Sequence, residues 1–245
     1  MLDLDSLSEI GESESLSTRL RALPTMRYSI EQRPAYSVLK VFLEPGESVT
    51  SEAGAMLLYK GDVEIQTHTG GGILKGLIRA ALAGEPVFLN TYVARTPAEV
   101  WFAPPAPGDI AYVPLEGTSW IVQDTSYLAH HGSVNLSVAW RGLRGVLAEG
   151  ELVWLKASGR GGMWICAYGG LEEVDVAPGE RVTIDNFHFV AMPADVNWQV
   201  KKFGGWKSFL LGGEGLVFEV EGPAKVYVQT RILPPLAQML KKYVK

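Results

Sequence analysis

The stretch GGGILKGLIRAALAGE, residues 70–85, decides how the rest of the chain is read. In isolation it offers three meanings. Its glycines with Lys75 and Arg79 suggest a phosphate-cradling loop. Ile73, Leu74, Leu77, Ile78, Ala81 and Leu82 have the spacing of an interfacial helix. The third meaning is architectural, one copy of a repeated element. A P-loop needs G-x-x-x-x-G-K-[ST], whereas Gly71 and Gly76 are followed by Leu77 and Ile78, with no hydroxyl placed for magnesium.

The architectural reading gains from two further stretches. GLIRAALAGEPVF begins at Gly76, GLRGVLAEGELVW at Gly142 and GWKSFLLGGEGLVF at Gly205. Each starts with glycine and a bulky apolar residue, carries a basic residue early, and reaches a Gly-Glu pair before an apolar strand. The pairs are Gly84-Glu85, Gly150-Glu151 and Gly213-Glu214. Upstream of each stands a proline–glycine–acid turn: Pro45-Gly46-Glu47, Pro107-Gly108-Asp109 and Pro178-Gly179-Glu180. Pro presets φ and Gly tolerates positive φ, so each marks a tight reversal between strands. Two signatures in the same order, three times, predict three internal repeats over 26–102, 103–170 and 171–232. The apolar segment is expected to cross between sheets as a helical turn or bent strand, with its closing glycine a C-cap or a bulge. The glutamates either satisfy backbone donors or sit at a subunit seam.

Around these signatures, short runs rich in Val, Ile, Tyr, Phe and Trp recur between Gly, Pro and Asp turns. VFLNTYVA, VNLSVAW, MWICAYG and AKVYVQT are examples. The pattern predicts an all-β chain of sandwich or barrel type over 25–232. Residues 1–24, rich in Ser and Glu, are expected to form a flexible acidic tail. LPPLAQMLKKYVK, 233–245, follows a proline pair and reads as a short amphipathic C-terminal helix. Its Leu236, Met239, Leu240, Lys241, Lys242 and Tyr243 are the candidate contact to a partner or a membrane surface.

With 245 residues, 47% apolar and 20% charged, the chain can bury a sizeable core. A formal charge of −5 gives no overall basic field and argues against nucleic acid as the partner. Cys166 is the only cysteine, which excludes intramolecular disulfides and multi-cysteine zinc sites. The opening MLDLDSLSEI has acidic residues where a secretory leader needs positive charge, so a cytoplasmic protein is expected.

The motifs EPGESVTSEAGAMLLY, GGGILKGLIRAALAGEPVFLNTYVA, APPAPGDI, IVQDTSYLA and FLLGGEGLVFEVEGPAKVYVQTR resemble the family of the yeast "altered inheritance of mitochondria" protein twenty-four, over residues 26–231. The resemblance implies an all-β fold similar to the tryptophan RNA-binding attenuation protein, built of sandwich or short double-stranded β-helix units. It also implies a homotrimer or related ring-like assembly. It supplies no catalytic residues, and no cofactor is expected.

Other constellations bear on chemistry. A cupin-like metal or small-molecule site would draw on histidines from different strands, with His68 and His188 as candidates. His130 and His131 are adjacent and face opposite sides of a strand. Asp124, Ser126, His130, His131 and Ser133 lie close in sequence and read as turn residues joining strands. No G-x-S-x-G elbow accompanies them. Glu172, Glu173 and Asp175 read as a solvated turn, and Cys166 as a buried small hydrophobe. Lys201, Lys202 and Lys207 around Phe203 and Trp206 carry the RNA-binding alternative. The leading reading is a non-enzymatic, homo-oligomeric β scaffold.

Overall fold

A computed structural model describes residues 26–68, 89–141, 153–202 and 216–243. Sixteen strands and one short helix account for most of them. The first group is β1 (Arg27–Glu31), β2 (Val38–Leu43), β3 (Ser48–Glu52), β4 (Met56–Lys60), β5 (Val63–His68), β6 (Leu89–Ala94) and β7 (Ala98–Phe102). Three long strands follow: β8 (Ile110–Gln123), β9 (Tyr127–Arg141) and β10 (Val153–Cys166). A 3-10 turn, Asp124–Ser126, separates β8 from β9. The last group is β11 (Leu171–Val176), β12 (Arg181–Asp185), β13 (Phe189–Pro193), β14 (Asn197–Lys202), β15 (Leu216–Glu221) and β16 (Ala224–Gln229), before the helix α1 (Leu233–Leu240).

Alternation explains the strands. In β2, Leu39, Val41 and Leu43 are fully buried while Lys40 and Phe42 face outward, the period-2 division of a sheet with one covered face. Three sheets result: β1-β2-β7-β4, the nine-stranded β11-β16-β13-β8-β10-β9-β3-β6-β5, and β12-β15-β14. The first sheet packs its Leu39, Val41, Val100 and Phe102 against Val49, Tyr92 and Trp164 of the nine-stranded sheet. At the other end Val176, Phe189 and Val226 meet Ile184, Phe218 and Val220 of the three-stranded sheet. The chain is therefore an all-β sandwich assembly joined through the long middle strands.

Strand orders echo one another. β3-β6-β5, β8-β10-β9 and β12-β15-β14 have the same arrangement in chain order, and β2-β7-β4 matches β11-β16-β13. Both β4–β7 and β13–β16 carry a register step, at Met56/Leu58 and at Phe189/Ala191.

All three Gly-to-Gly-Glu elements, with Gly84, Glu85, Gly150, Glu151, Gly213 and Glu214, lie outside the described residues. Only the residues flanking them are described. His68 pairs with Leu89, Arg141 with Val153 and Lys202 with Leu216, in antiparallel neighbours.

The proline–glycine–acid turns divide two to one. Gly46 and Gly179 have φ of 89° and 81°, and Glu47 and Glu180 fold back to accept the backbone N–H of Glu44 and Ala177 at 2.8 and 2.9 Å. Asp109 is different. Its carboxylate accepts both Nε and Nη2 of Arg33 at 2.8 Å, the hydroxyl of Ser37 at 2.9 Å and the N–H of Ile110 at 2.8 Å.

Two expectations are corrected. His130, His131 and Ser133 belong to β9, and Glu172, Glu173 and Asp175 to β11. Both stretches look like polar turns, but pairing with β10 and with β16 satisfies their backbones and extends them.

Candidate functional site

The nine-stranded sheet is continuous through two short seams. β3 pairs with β9 only at Val49↔His131, Thr50↔His130 and Ser51↔Ala129. β8 pairs with β13 only at Val122↔Ala191, Ile121↔Met192 and Trp120↔Pro193. The first seam collects titratable side chains.

Thr50 stands between Thr91 on β6 and His130 on β9, with its hydroxyl 2.7 Å from that of Thr91. On β9 the register against β10 steps at Leu128, so Tyr127 and His130 come to the same side of the strand. The Tyr127 hydroxyl lies 2.6 Å from His130 Nδ1. Both side chains are buried. Burial, then the neighbouring His131, pushes His130 down to about 4, so the ring is neutral at pH 7. Burial, reinforced by Glu52, holds Tyr127 well above the usual phenol value. A protonated phenol facing a neutral imidazole donates to Nδ1, leaving the ring proton on Nε2.

Glu52 ends β3 at the margin of this cluster, and Asp124 opens the 3-10 turn leading into β9. Burial raises Glu52 to about 7, with Asp124 contributing repulsion. Burial raises Asp124 to about 6, opposed by the N–H of Thr125, which its Oδ1 accepts at 2.8 Å. Cys166 packs nearby with its thiol directed at the Thr125 carbonyl, 3.7 Å away; burial and Glu52 push it up to about 12. Such a thiol is protonated and unreactive at neutral pH. The set can take up and release protons at the join between two sandwich units.

On the opposite face of β9, His131 Nε2 is 3.0 Å from the Tyr112 hydroxyl, and its ring lies among Tyr112 and Trp164, with Tyr28 beyond. Adjacent histidines thus serve two separate cores.

The other candidates are dispersed. His188 Nδ1 lies 2.6 Å from the Gln229 carbonyl, in the turn before β13. His68 ends β5, six strand steps from β13 in the sheet order, roughly 30 Å at ordinary strand spacing. Among the described residues no three His, Cys, Asp or Glu side chains gather at metal-binding distance. Lys201 is engaged by Glu219 at 2.9 Å; Lys207, Phe203 and Trp206 lie outside the described residues. Surface hollows of about 350 Å³ at Asp195–Pro223 and about 320 Å³ beside Arg27 and Lys60 do not touch the Glu52 cluster.

α1 buries none of its side chains. Leu233, Met239 and Leu240 are about half exposed and Tyr243 more so; Leu236 is half-buried, while Lys241 and Lys242 are exposed. No described helix is long and apolar enough to cross a bilayer.

Sequence reasoning missed Glu52. A single glutamate closing a strand carries no signal until the fold sets it beside Asp124.

Residues 28–231 match the mitochondrial biogenesis AIM24 family. The chain belongs to that family. An uncharacterised protein of Streptococcus pyogenes serotype M6 is 26% identical over 227 residues, covering 89% of this chain and 91% of its own length. A Streptococcus pyogenes protein of known crystal structure is 27% identical, with a TM-score of 0.74 over 89% of this chain and the whole of that one. The AIM24 match spans all sixteen strands apart from Arg27, and leaves α1 outside it.

Proposed function

We propose that this AIM24-family chain is a non-enzymatic, homo-oligomeric scaffold of three related β units that organises partners in the cytoplasm. The observation that carries this reading is where its exposed apolar side chains stand. Leu57, Tyr59 and Ile65 lie on strands that end their sheets among the described residues, and Leu233, Met239, Leu240 and Tyr243 lie on or beside a helix that buries nothing. Apolar side chains grouped at edges and on an unburied helix suit docking better than catalysis. The edges serve self-association. The helix, with Lys241 and Lys242 following its apolar residues, serves attachment to an anionic membrane surface.

Sedimentation velocity of the full chain tests the first half, and a single monomeric species contradicts it. Co-sedimentation with vesicles containing phosphatidylserine tests the second. Binding is expected for the native chain and is lost in Met239→Glu/Leu240→Glu. Equal binding by both proteins removes the helix from the account.

A further inference from the structure

The first and last sandwiches differ in one respect. Met56 follows Gly46 by the same ten residues that separate Phe189 from Gly179. The shared register step makes β4 and β13 counterparts. On this alignment Leu57, Leu58 and Tyr59 correspond to Val190, Ala191 and Met192, and Ile65 to Trp198.

In the last sandwich that side is closed. Val190, Ala191 and Met192 are all fully buried, because β8 pairs with β13 and carries Ile121 into the core. Trp154 of β10 completes the closure, with its ring 4.6 Å from Phe189, 5.1 Å from Trp198 and 5.2 Å from Phe218. In the first sandwich nothing among the described residues does the same. β4 ends its sheet and β5 ends the nine-stranded one. Tyr59 lies opposite buried Val100, and Ile65 opposite buried Tyr92, so both continue inner, core-lining faces. Yet Leu57 is 54% exposed, Tyr59 44% and Ile65 42%. Among the described residues, nothing covers the interior of this sandwich on that side.

We infer that a second copy of the chain closes this side, its β4 pairing antiparallel with β4 of the first across Leu58–Lys60, around a two-fold axis beside Tyr59. The pairing β8 makes with β13 supplies the geometry, since there the residues corresponding to Leu58 and Lys60 flank a central pair at Met192. Charge supplies the choice of partner. The other described edge strands carry Arg27 and Glu31, Glu64, three acids on β11, Arg181 and Asp185, or Lys201 and Lys202. Such charges discourage edge-to-edge pairing. Met56–Tyr59 carries none, and the one charge of β4, Lys60 at its end, is engaged by Glu99 at 2.9 Å on the neighbouring β7, so two copies can bring apolar Met56–Tyr59 edges together without opposing free charges. Stable interfaces bury about 1,200–2,000 Å² in total, more than a strand edge supplies, so Ile65 and the rest of the open side join the contact.

The inference rests on the homo-oligomer reading above and gives it a two-fold contact where the family resemblance implied a trimer or ring. The test uses the full chain carrying Tyr59→Cys, with Tyr36→Cys as control, since Tyr36 is 72% exposed outside this side and Cys166 is buried. Under mild oxidation Tyr59→Cys is expected to give a covalent dimer in most of the protein, and Tyr36→Cys to give no covalent dimer. Tyr59→Lys/Ile65→Lys should halve the mass of the native protein in light scattering with an unchanged circular dichroism spectrum. If neither cross-linking nor a fall in mass occurs while the native chain remains oligomeric, this seam is wrong and the scaffold reading stands. A monomeric native chain overturns both. If that monomer also protects residues 57–60 from hydrogen exchange, another part of the same chain covers the edge in place of a second copy.

Discussion

Glu52 and Asp124 are two carboxylates held above their ordinary range where β3 meets β9. The unfolded chain ionises Glu52 near 4.5, whereas the folded protein keeps its proton to about 7. Stability from the neutral group is therefore complete below the unfolded value and is lost as pH rises from about 4.5 through 7. Glu52→Gln should raise the thermal midpoint at pH 8 by the equivalent of about 1–3 kcal/mol and flatten this alkaline limb. Melts across pH 4–9 check it, and a parallel shift at every pH contradicts it. Tyr127→Phe removes the partner of a buried imidazole nitrogen, so a loss of about 1–3 kcal/mol in chemical denaturation is expected. Neither effect is readable from the sequence. Glu52 and Asp124 belong to different strand groups, and Tyr127 reaches His130 only through the step at Leu128.

Elements show both what local chemistry reveals and where it stops. β2 was legible because its buried leucines and valine alternate with outward Lys40 and Phe42. β11 and the middle of β9 were not, because acids and histidines look like turns until a neighbouring strand pairs with them. The proline–glycine–acid pattern marked three turns, but it could not tell that Asp109 holds Arg33 while Glu47 and Glu180 cap their own turns. Burial raises Asp109, and the hydrogen bonds from Arg33, Ile110 and Ser37 outweigh it, leaving the carboxyl below its usual range. Its contribution is present above the ordinary carboxylate value and is lost as pH falls through the lowered one. Arg33→Ala should cost about 1–2 kcal/mol at pH 7, discounted for the half-exposed guanidinium, with the difference from the native chain vanishing in strong acid. The β9–β10 ladder sets another limit. Gly161 has φ of 141°, and a Cβ there would lie 2.1 Å from the His131 carbonyl oxygen. Gly161→Ala should lower stability by roughly 3 kcal/mol or more, measured by denaturant midpoint; a loss under about 0.5 kcal/mol would contradict this close approach.

At the scale of the whole molecule, the all-β class and the family were legible from strand runs and motifs spread along most of the chain. The order of the sheets was not, since periodicity says which residues are buried and is silent on which strand lies beside which. Tyr59 shows the consequence. It sits in an apolar run, and only the strand order shows it at an edge, in the place its counterpart Met192 occupies beside β8. In the proposed dimer, the open side of the first sandwich is the feature on which assembly turns. Light scattering of the full chain at about 10 μM tests this most directly, a concentration at which a submicromolar dimer is nearly complete. The account predicts a particle of twice the 26.7 kDa chain mass, reduced to one chain mass by Tyr59→Lys/Ile65→Lys. A native particle of one chain mass would contradict it.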